Sequence, residues 1–239
     1  GLGEMQRDAR MGACGMRHAW ASDEEAATFS RRIEAAARAR ANAVDPADPH
    51  VDKAGKGRRA QLFAAWLVRT YGAEYLAGGN GVWDVAGGRG CVSFELFTRR
   101  GIPCVLVEPR ARKLTREQHA WIREHEGDSA PVVLCEHRRE LFAGIRPDDG
   151  ASIVVGMHPD EATEVIVDSA MTANVPFAVV PCCVFPNANP GRTTPDGTPV
   201  RTTRQFVQYL QAKAPALIHT AFLPFQGRNV VVYSLPHSV

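Results

Sequence analysis

The chain has 239 residues, of which 45% are hydrophobic and 23% charged, and 28 Lys and Arg against 26 Asp and Glu give a formal net charge of +2 at pH 7. This composition is typical of a globular protein and excludes collagen-like repeats, disulfide miniproteins and wholly disordered chains. No apolar run reaches the roughly 18–20 residues that a membrane-spanning helix needs. We therefore expect one large α/β domain with an extension, and no membrane-embedded role.

Charge and cysteines are unevenly distributed. Residues 144–186 carry one basic and six acidic side chains, whereas 187–239 carry five basic and one acidic. A near-neutral total does not exclude a polyanionic partner, because electrostatic steering depends on local patches. The six cysteines include no CxxC pair, which favours free thiols in a reducing compartment. We predict an intracellular protein without disulfides, either cytoplasmic or organellar, with the mitochondrion included.

The chain divides at a proline-rich linker. Ser22, followed by three acidic residues, is typical of a helix N-cap, and an Ala- and Arg-rich helix is predicted over 22–43. The segment DPADP at 45–49 ends that helix. A basic turn and an amphipathic helix follow within 51–70. The sequence thus predicts a helical extension with a linker over residues 1–50 and an α/β domain over 51–239.

From residue 82 onward, short β-branched runs alternate with stretches compatible with helices. This pattern predicts repeated βα units and a mostly parallel sheet. The last two strands are joined by only five residues, which excludes a crossover helix and predicts an antiparallel hairpin. The predicted strands are 82–86, 103–107, 131–135, 152–156, 176–181, 216–223 and 229–235, and the predicted helices after residue 82 are 90–100, 111–126, 160–173 and 202–213.

The most informative segment is a glycine-rich turn, within VWDVAGGRG at 82–90. Its glycines allow the backbone to approach a ligand closely, and the following helix begins with unpaired N–H groups. Glu108 lies 24 residues after Asp84, at the end of the second strand. An acid at that position can accept hydrogen bonds from ribose hydroxyls. The pattern predicts a ribose-containing ligand at the ends of the first two strands.

This arrangement resembles the Rossmann-like, or class I, S-adenosylmethionine-dependent methyltransferases. DVAGGRG is similar to their first motif, Glu108 to the acid of their second motif, and the hairpin to their sixth and seventh strands. The resemblance implies an α/β sheet in the order 3-2-1-4-5-7-6 and S-adenosylmethionine as cofactor. The residues that it assigns to the cofactor are Gly87, Gly88 and Gly90 at the methionine part, Asp84 beside the amino group, Glu108 at the ribose, and Cys135 and Glu136, after the third strand, beside the adenine.

Two alternatives remain open for the glycine-rich turn. A nicotinamide-binding Rossmann domain carries the fingerprint GxGxxG, whereas this turn is GGRG, and such a domain seldom ends in a hairpin. A purely structural turn would not by itself explain why Asp84 and Glu108 both fall at strand ends.

Segments after the fourth and fifth strands narrow the resemblance. MHPDEAT at 157–163 and PCCVFP at 181–186, with KGRR at 56–59, are similar to a branch that includes a tRNA ribose 2′-O-methyltransferase family. That branch carries a His-containing turn with Ala-Thr-Asp after strand four and Pro-Cys-Cys after strand five. Glu164 stands here in place of the Asp.

Three residues are candidates for catalysis. His158 has a pKa range suited to a general base, and the alternative is that it caps a helix starting at Pro159. Cys182 or Cys183 could act as a thiolate nucleophile, and the alternative is packing or lining of the site. A zinc site is a further alternative, but adjacent cysteines do not easily share one tetrahedral ion, and we predict no metal. That zinc set is Cys135, His137, His158, Cys182 and Cys183.

Basic residues outside the glycine-rich turn are candidates for binding phosphate. The polar loop 186–204 follows strand five, where this class builds substrate contacts, and long loops tend to be functional. The alternative is a solvated loop without specific contacts. The candidates are Arg192, Arg201 and Arg204 in this loop, and Lys56, Arg58 and Arg59 before the amphipathic helix.

Three functions follow from these observations. The first is methyl transfer from S-adenosylmethionine to a structured RNA such as tRNA or rRNA. The second is a catalytically inactive methyltransferase-like subunit that binds protein partners in a ribonucleoprotein such as a ribosome. The third is a small-molecule methyltransferase.

Overall fold

The computed structural model describes residues 56–126, 134–225 and 227–236. The predicted helix over 22–43 and the linker after it lie outside the described residues. Arg58 is the first residue whose side chain is described, so Lys56 contributes only its backbone.

Helices and strands alternate as the sequence predicts, and a π-helical turn at Phe94–Thr98 and a 3₁₀ turn at Pro147–Asp149 supplement them. The helices are α1 (Lys56–Tyr71), α2 (Ala73–Leu76), α3 (Cys91–Ser93), α4 (Arg116–His125), α5 (Ala162–Ala173) and α6 (Thr203–Ala212). The strands are β1 (Val82–Val85), β2 (Cys104–Val107), β3 (Glu136–Arg138), β4 (Ile153–Met157), β5 (Phe177–Val180), β6 (Ile218–Phe222) and β7 (Val230–Ser234).

The seven strands form one sheet in the order β3-β2-β1-β4-β5-β7-β6. β1 to β5 pair in parallel, while β7 is antiparallel to both β5 and β6. This confirms the predicted strand order and the terminal hairpin. Because the carboxyl ends of parallel strands meet at one edge, the segments after β1, β2, β4 and β5 converge there.

The third strand is the one that the sequence places wrongly. We predicted it over 131–135, but the described strand is β3, and residues 131–133 lie outside the described part. The apolar run before β3 fits a fully buried strand, whereas β3 is the edge strand and its Glu136, His137 and Arg138 are exposed or half-buried. Hydrophobicity therefore does not mark it. Cys135 and Glu136 consequently lie at the start of this strand and not after its end.

Both faces of the sheet are covered, so its central strands are buried along their full length. Phe63 and Leu67 of α1 belong to the core on one face, together with Leu106 of β2. Ile166 of α5 and Phe206 of α6 belong to the core on the other face. This three-layer packing explains why the strands are apolar without alternation.

A capping box at the start of α4 connects that helix to the glycine-rich turn. Thr115 Oγ1 accepts from Gln118 N at 3.1 Å, and Gln118 Oε1 accepts from Thr115 N at 2.7 Å. The same buried glutamine donates from Nε2 to Gly90 O at 3.3 Å. Gln118 thus both completes the N-terminal cap of α4 and restrains the glycine-rich turn.

We expect Phe177→Ala to destabilise the protein by about 3–5 kcal/mol, because it removes a fully buried aromatic side chain and leaves a cavity. The matched control is Phe222→Ala on edge strand β6, whose side chain is 73% exposed, with an expected change within about 0.5 kcal/mol. Urea unfolding measures both. Equal losses of unfolding free energy would contradict the described packing.

Candidate functional site

The turn after β1 has an unusual backbone. Ala86, Gly88 and Gly90 all have positive φ, at 52°, 58° and 63°. Gly87 is needed for a different reason, since a Cβ there would lie 2.6 Å from both Asp84 Oδ2 and Leu106 Cδ1. The glycines therefore let this segment fold tightly onto the ends of β1 and β2.

Asp84 is a fully buried carboxylic acid at the centre of the sheet. Its Oδ2 accepts hydrogen bonds from Ser93 N at 3.0 Å and Ser93 Oγ at 2.5 Å. Its Oδ1 is buried without a hydrogen-bond partner among the described residues. Burial raises the pKa of Asp84 to about 6, although the bonds from Ser93 act in the opposite direction. The carboxylate is thus suited to a cationic partner.

Glu108, directly after β2, accepts four hydrogen bonds. They come from Gly88 N at 3.0 Å and from Arg110, through N at 3.1 Å, Nε at 2.5 Å and Nη2 at 2.9 Å. Burial alone would raise the pKa of Glu108, but the bonds from Arg110 outweigh it and lower the pKa. The guanidinium of Arg110 thus contacts both carboxylate oxygens of Glu108.

Cys135 and Glu136 lie at the amino end of β3, so their predicted location after the strand is wrong. Glu136 is exposed and pairs with Arg138 Nε at 2.7 Å. Cys135 is buried, and Arg112 Nη2 donates to its carbonyl oxygen at 3.2 Å and lies 3.1 Å from its Sγ. The hydrogen bond with Cys104, aided by Arg112, lowers the pKa of the Cys135 thiol to about 7 despite its burial.

Arg112 also places Cys135 close to the glycine-rich turn, because its Nε would lie 3.4 Å from a Cβ at Gly90. Arg112 thus lies near both Cys135 and the turn.

The turn after β4 holds His158. Its backbone N donates to Val180 O at 3.0 Å, and both imidazole nitrogens are shielded from solvent. Helix α5 begins at Ala162 with Glu161 as its N-cap, so the alternative in which His158 caps a helix starting at Pro159 is wrong. His158 directly follows β4, the strand that pairs with β1.

The turn after β5 brings both adjacent cysteines to the same region. Cys182 Sγ donates to Asp160 Oδ1 at 3.0 Å, and Arg228 Nη1, from the β6–β7 turn, lies 3.8 Å from Cys183 Sγ. The hydrogen bond with Cys183, burial and the Asp160 charge raise the pKa of Cys182. This shift disfavours the thiolate that a nucleophilic Cys182 would need.

The structure does not assemble the five-residue zinc set considered from the sequence. Cys135 contacts Arg112, and His137 Nε2 lies 2.8 Å from the carbonyl oxygen of Glu108, both at the β2–β3 end of the sheet. Cys182 and Cys183 follow β5, on the other side of β1 and β4. Asp160, which the sequence interpretation left out, lies beside these two cysteines instead.

The predicted phosphate-binding residues differ in their environments. Arg192 is held internally, since Nε donates to Glu164 Oε2 at 2.7 Å and Nη1 to Val184 O at 2.9 Å. Its guanidinium carbon also lies 4.8 Å from the centre of the Phe206 ring. The predicted role of Arg192 as a phosphate ligand therefore finds no support, because its donors serve the fold.

The remaining arginines are more accessible. Arg201, Arg204 and Arg58 are exposed, and Arg59 is half-buried, with its guanidinium carbon 5.5 Å from the centre of the Phe225 ring. Since Phe225 and Arg228 flank the same turn between β6 and β7, the start of α1 lies near the cysteine-containing turn.

Glu164 anchors the loop after β5. Besides Arg192, it contacts Tyr209 Oη and Lys213 Nζ, the latter at 2.7 Å. Burial would raise the pKa of Glu164, but the bonds from Lys213, Tyr209 and Arg192 lower it. Glu164 of α5 thus joins this helix to α6 and to the loop after β5.

Four functional candidates were missed from the sequence: Arg110, Arg112, Asp160 and Arg228. Arg110 stands two residues after Glu108, and that spacing was the available signal. Asp160 lies within the segment MHPDEAT, but its contact with Cys182 spans 22 residues. No sequence pattern marks Arg228, because its contact with Cys183 exists only once the β6–β7 hairpin has paired with β5.

A groove of about 710 Å³ lies at the opposite edge of the sheet, lined by residues that include Tyr71, Gly79, Ser152 and Pro176. None of the predicted site residues lines it. Among the helices of the described ranges, none combines the length and apolar character needed to cross a membrane.

No family model matches the chain. A probable tRNA (uracil-O(2)-)-methyltransferase of Caenorhabditis briggsae is 31% identical over 104 residues, which are 43% of this chain and 17% of the relative. The chain thus matches about one sixth of that relative's length. The match agrees with the resemblance drawn from the sequence.

Solved methyltransferase structures also resemble the chain. Magnesium protoporphyrin IX methyltransferase from Synechocystis, with bound S-adenosylmethionine, is 14% identical, with a TM-score of 0.42 over 74% of this chain and 80% of that one. An O-methyltransferase family protein from Burkholderia thailandensis is 14% identical, with a TM-score of 0.42 over 76% and 57% of the respective chains.

We expect Gly87→Ala to destabilise the protein by about 1–3 kcal/mol, because its Cβ would collide with Asp84 and Leu106. Gly191→Ala is the control, since a Cβ there meets nothing within 4 Å, and its effect should stay within about 0.5 kcal/mol. Thermal unfolding compares the two. Indistinguishable transitions would contradict the tight turn described here.

Proposed function

We propose that the chain binds S-adenosylmethionine and transfers its methyl group to an RNA. The observation that carries this proposal is the buried carboxylate of Asp84, which keeps one oxygen without a hydrogen-bond partner among the described residues. It lies beside a glycine-rich turn whose backbone N–H, at Gly88, already contacts Glu108. A buried acid with unused acceptor capacity is costly unless a ligand completes it.

The residues present fit the cofactor. Asp84 Oδ1 is suited to the cationic amino group, and Gly87, Gly88 and Gly90 leave room for the methionine part. Glu108 accepts the ribose hydroxyls once the guanidinium of Arg110 moves aside. The exposed Glu136 is left out of this set, because it lies at the amino end of β3.

When bound, the cofactor supplies an electrophilic methyl group on a sulfonium, and the chain positions the acceptor and receives its proton. His158 is the proposed base, since it follows β4 next to the end of β1 and a neutral imidazole can accept a proton. Cys182 and Cys183 line the neighbouring turn. Accurate placement of the acceptor provides most of the rate enhancement in such a displacement.

RNA is the proposed substrate class for two reasons. The curated relative is described as a tRNA methyltransferase. Arginines from three separate segments also lie around the carboxyl edge of the sheet, and basic side chains supply the sequence-independent part of RNA affinity. These arginines are Arg58 and Arg59 at the start of α1, Arg228 in the β6–β7 turn, and Arg201 and Arg204 before and within α6.

A second candidate function is an inactive methyltransferase-like subunit of a ribonucleoprotein. One observation favours it: the guanidinium of Arg110 satisfies Glu108, so the fold does not need a ribose there. The two functions differ in whether the folded chain binds cofactor. The division at residue 50 and the intracellular location remain predictions.

Calorimetric titration with S-adenosylhomocysteine tests cofactor binding. We expect the wild-type chain to bind, and Glu108→Gln to weaken binding at least about tenfold, because a charge-assisted hydrogen bond contributes about 1.5–3 kcal/mol. The matched control is Glu136→Gln, which should change the affinity less than about twofold.

Circular dichroism establishes that each variant is folded. Absence of binding to folded wild-type protein would contradict the proposed enzyme and favour the scaffold. Equal losses in Glu108→Gln and Glu136→Gln would contradict the assignment of the ribose site.

RNA binding is tested separately by mobility shift with bulk tRNA at two salt concentrations. We expect the Arg59→Ala, Arg228→Ala double variant to lose affinity and to reduce the salt slope by about one for each phosphate contact removed. Arg69→Ala is the control, because this exposed arginine lies at the other end of α1, roughly 15 Å from Arg59. Equal effects in both variants would argue for nonspecific charge alone.

A further inference from the structure

The turns after β4 and β5 bring together two thiols and a carboxylate. One ligand atom each from Asp160, Cys182 and Cys183 lies within 4.8 Å of the other two. The contact between Cys182 Sγ and Asp160 Oδ1 is the shortest described, at 3.0 Å. Cys182 is buried, Cys183 is half-buried and Asp160 is exposed, so the cluster is open to solvent on one side.

The backbone explains how two adjacent cysteines can face the same point. Successive side chains of a strand point to opposite faces, which would separate neighbouring thiols. β5 ends at Val180, however, so Cys182 and Cys183 lie in irregular backbone that is free of this alternation. The objection drawn from the sequence, that adjacent cysteines do not easily share an ion, therefore loses force here.

Both turns hold backbone conformations that non-glycine residues rarely adopt. His158 and Asp160 have φ of 57° and 50°, and Phe185, after the cysteines, has φ of 49°. Strained residues of this kind cluster at active sites and ligand clamps. The strain coincides with the position where Asp160 reaches Cys182.

Electrostatics favour a cation at this point. Two thiolates and one carboxylate would carry a charge of about −3 together, and a divalent ion would leave about −1. The guanidinium of Arg228, 3.8 Å from Cys183 Sγ, supplies the remaining positive charge. A filled site would thus be close to neutral, which removes the main cost of placing charges in a partly buried turn.

We propose that Asp160, Cys182 and Cys183 bind one divalent ion that prefers sulfur ligands, such as Zn²⁺. Two sulfur ligands and one carboxylate oxygen suit zinc and not magnesium or calcium, which prefer oxygen ligands alone. Three protein ligands leave a fourth tetrahedral position for water or a substrate oxygen. Binding releases the two thiol protons to solvent and requires no oxidant or reductant.

This site goes beyond the proposed methyl transfer and has its own consequence. A bound ion would join the turn after β4 to the turn after β5 and fix the position of His158 next to it. It would also occupy both cysteine sulfurs, so that neither acts as a nucleophile.

Titration of the full chain with Cd²⁺ tests the site, because cadmium thiolates absorb in the ultraviolet through ligand-to-metal charge transfer. We expect one equivalent to produce this band and Zn²⁺ to displace it competitively. Cys182→Ser and Cys183→Ser should each weaken binding at least tenfold, and so should Asp160→Asn. Cys91→Ser is the control, since this half-buried cysteine lies outside the cluster, and it should keep the band.

Thermal unfolding with and without Zn²⁺ is the second measurement, and it remains informative if a substitution itself lowers stability. Zn²⁺ should raise the unfolding temperature of the wild-type chain and of Cys91→Ser, but not that of Cys183→Ser, whose side chain is only half-buried. No band in the wild type, a band retained when both cysteines are replaced, or equal loss in Cys91→Ser would each overturn the proposal. S-adenosylhomocysteine binding is measured on the same samples, so failure of the metal site is distinguishable from failure of the proposed function.

Discussion

The buried carboxylate of Asp84 is the interaction on which the candidate site depends. A charge at the centre of a covered sheet is costly, and Ser93 offsets that cost with two hydrogen bonds to one oxygen. Those bonds fix the start of the helical segment after the turn. Gly87 must lack a side chain because the same carboxylate fills the space. The turn, the acid and the helix therefore form one unit, and a change in any of them alters the others.

The carboxyl edge of the sheet divides into two regions with different chemistry. Around β1 and β2, the buried acids Asp84 and Glu108 lie beside backbone N–H groups and arginines, which suits a ligand with a cationic group and hydroxyls. Around β4 and β5, Asp160 and two cysteines lie near Arg228, and His158 directly follows β4, the strand that pairs with β1. A cofactor on one side and an acceptor on the other would meet near this histidine.

The existence of most strands followed from apolar runs and the hairpin from the short final connection, whereas the strand order followed only from the resemblance to the methyltransferases. β3 was not predictable, since an edge strand needs no continuous apolar run, and its polar residues gave no signal. The positions of Asp84 and Glu108 followed from strand ends, but the ion pair of Glu108 with Arg110 did not, because side-chain direction after a strand depends on the turn. Arg192 shows the same limit: its charge suggested a ligand, while its direction toward Glu164 is a property of the folded loop.

The anchoring of the loop after β5 affects the energetics of binding. Glu164 fixes Arg192, Tyr209 and Lys213 at once, so the loop is attached to two helices before any partner arrives. Ordering a long side chain at an interface costs about 0.5–1.5 kcal/mol. A partner that docks on this loop is spared that cost at the anchored positions. The loop would then discriminate between partners by the shape that it already has. A partner that does not fit this shape would gain little affinity, because the anchored loop does not rearrange easily.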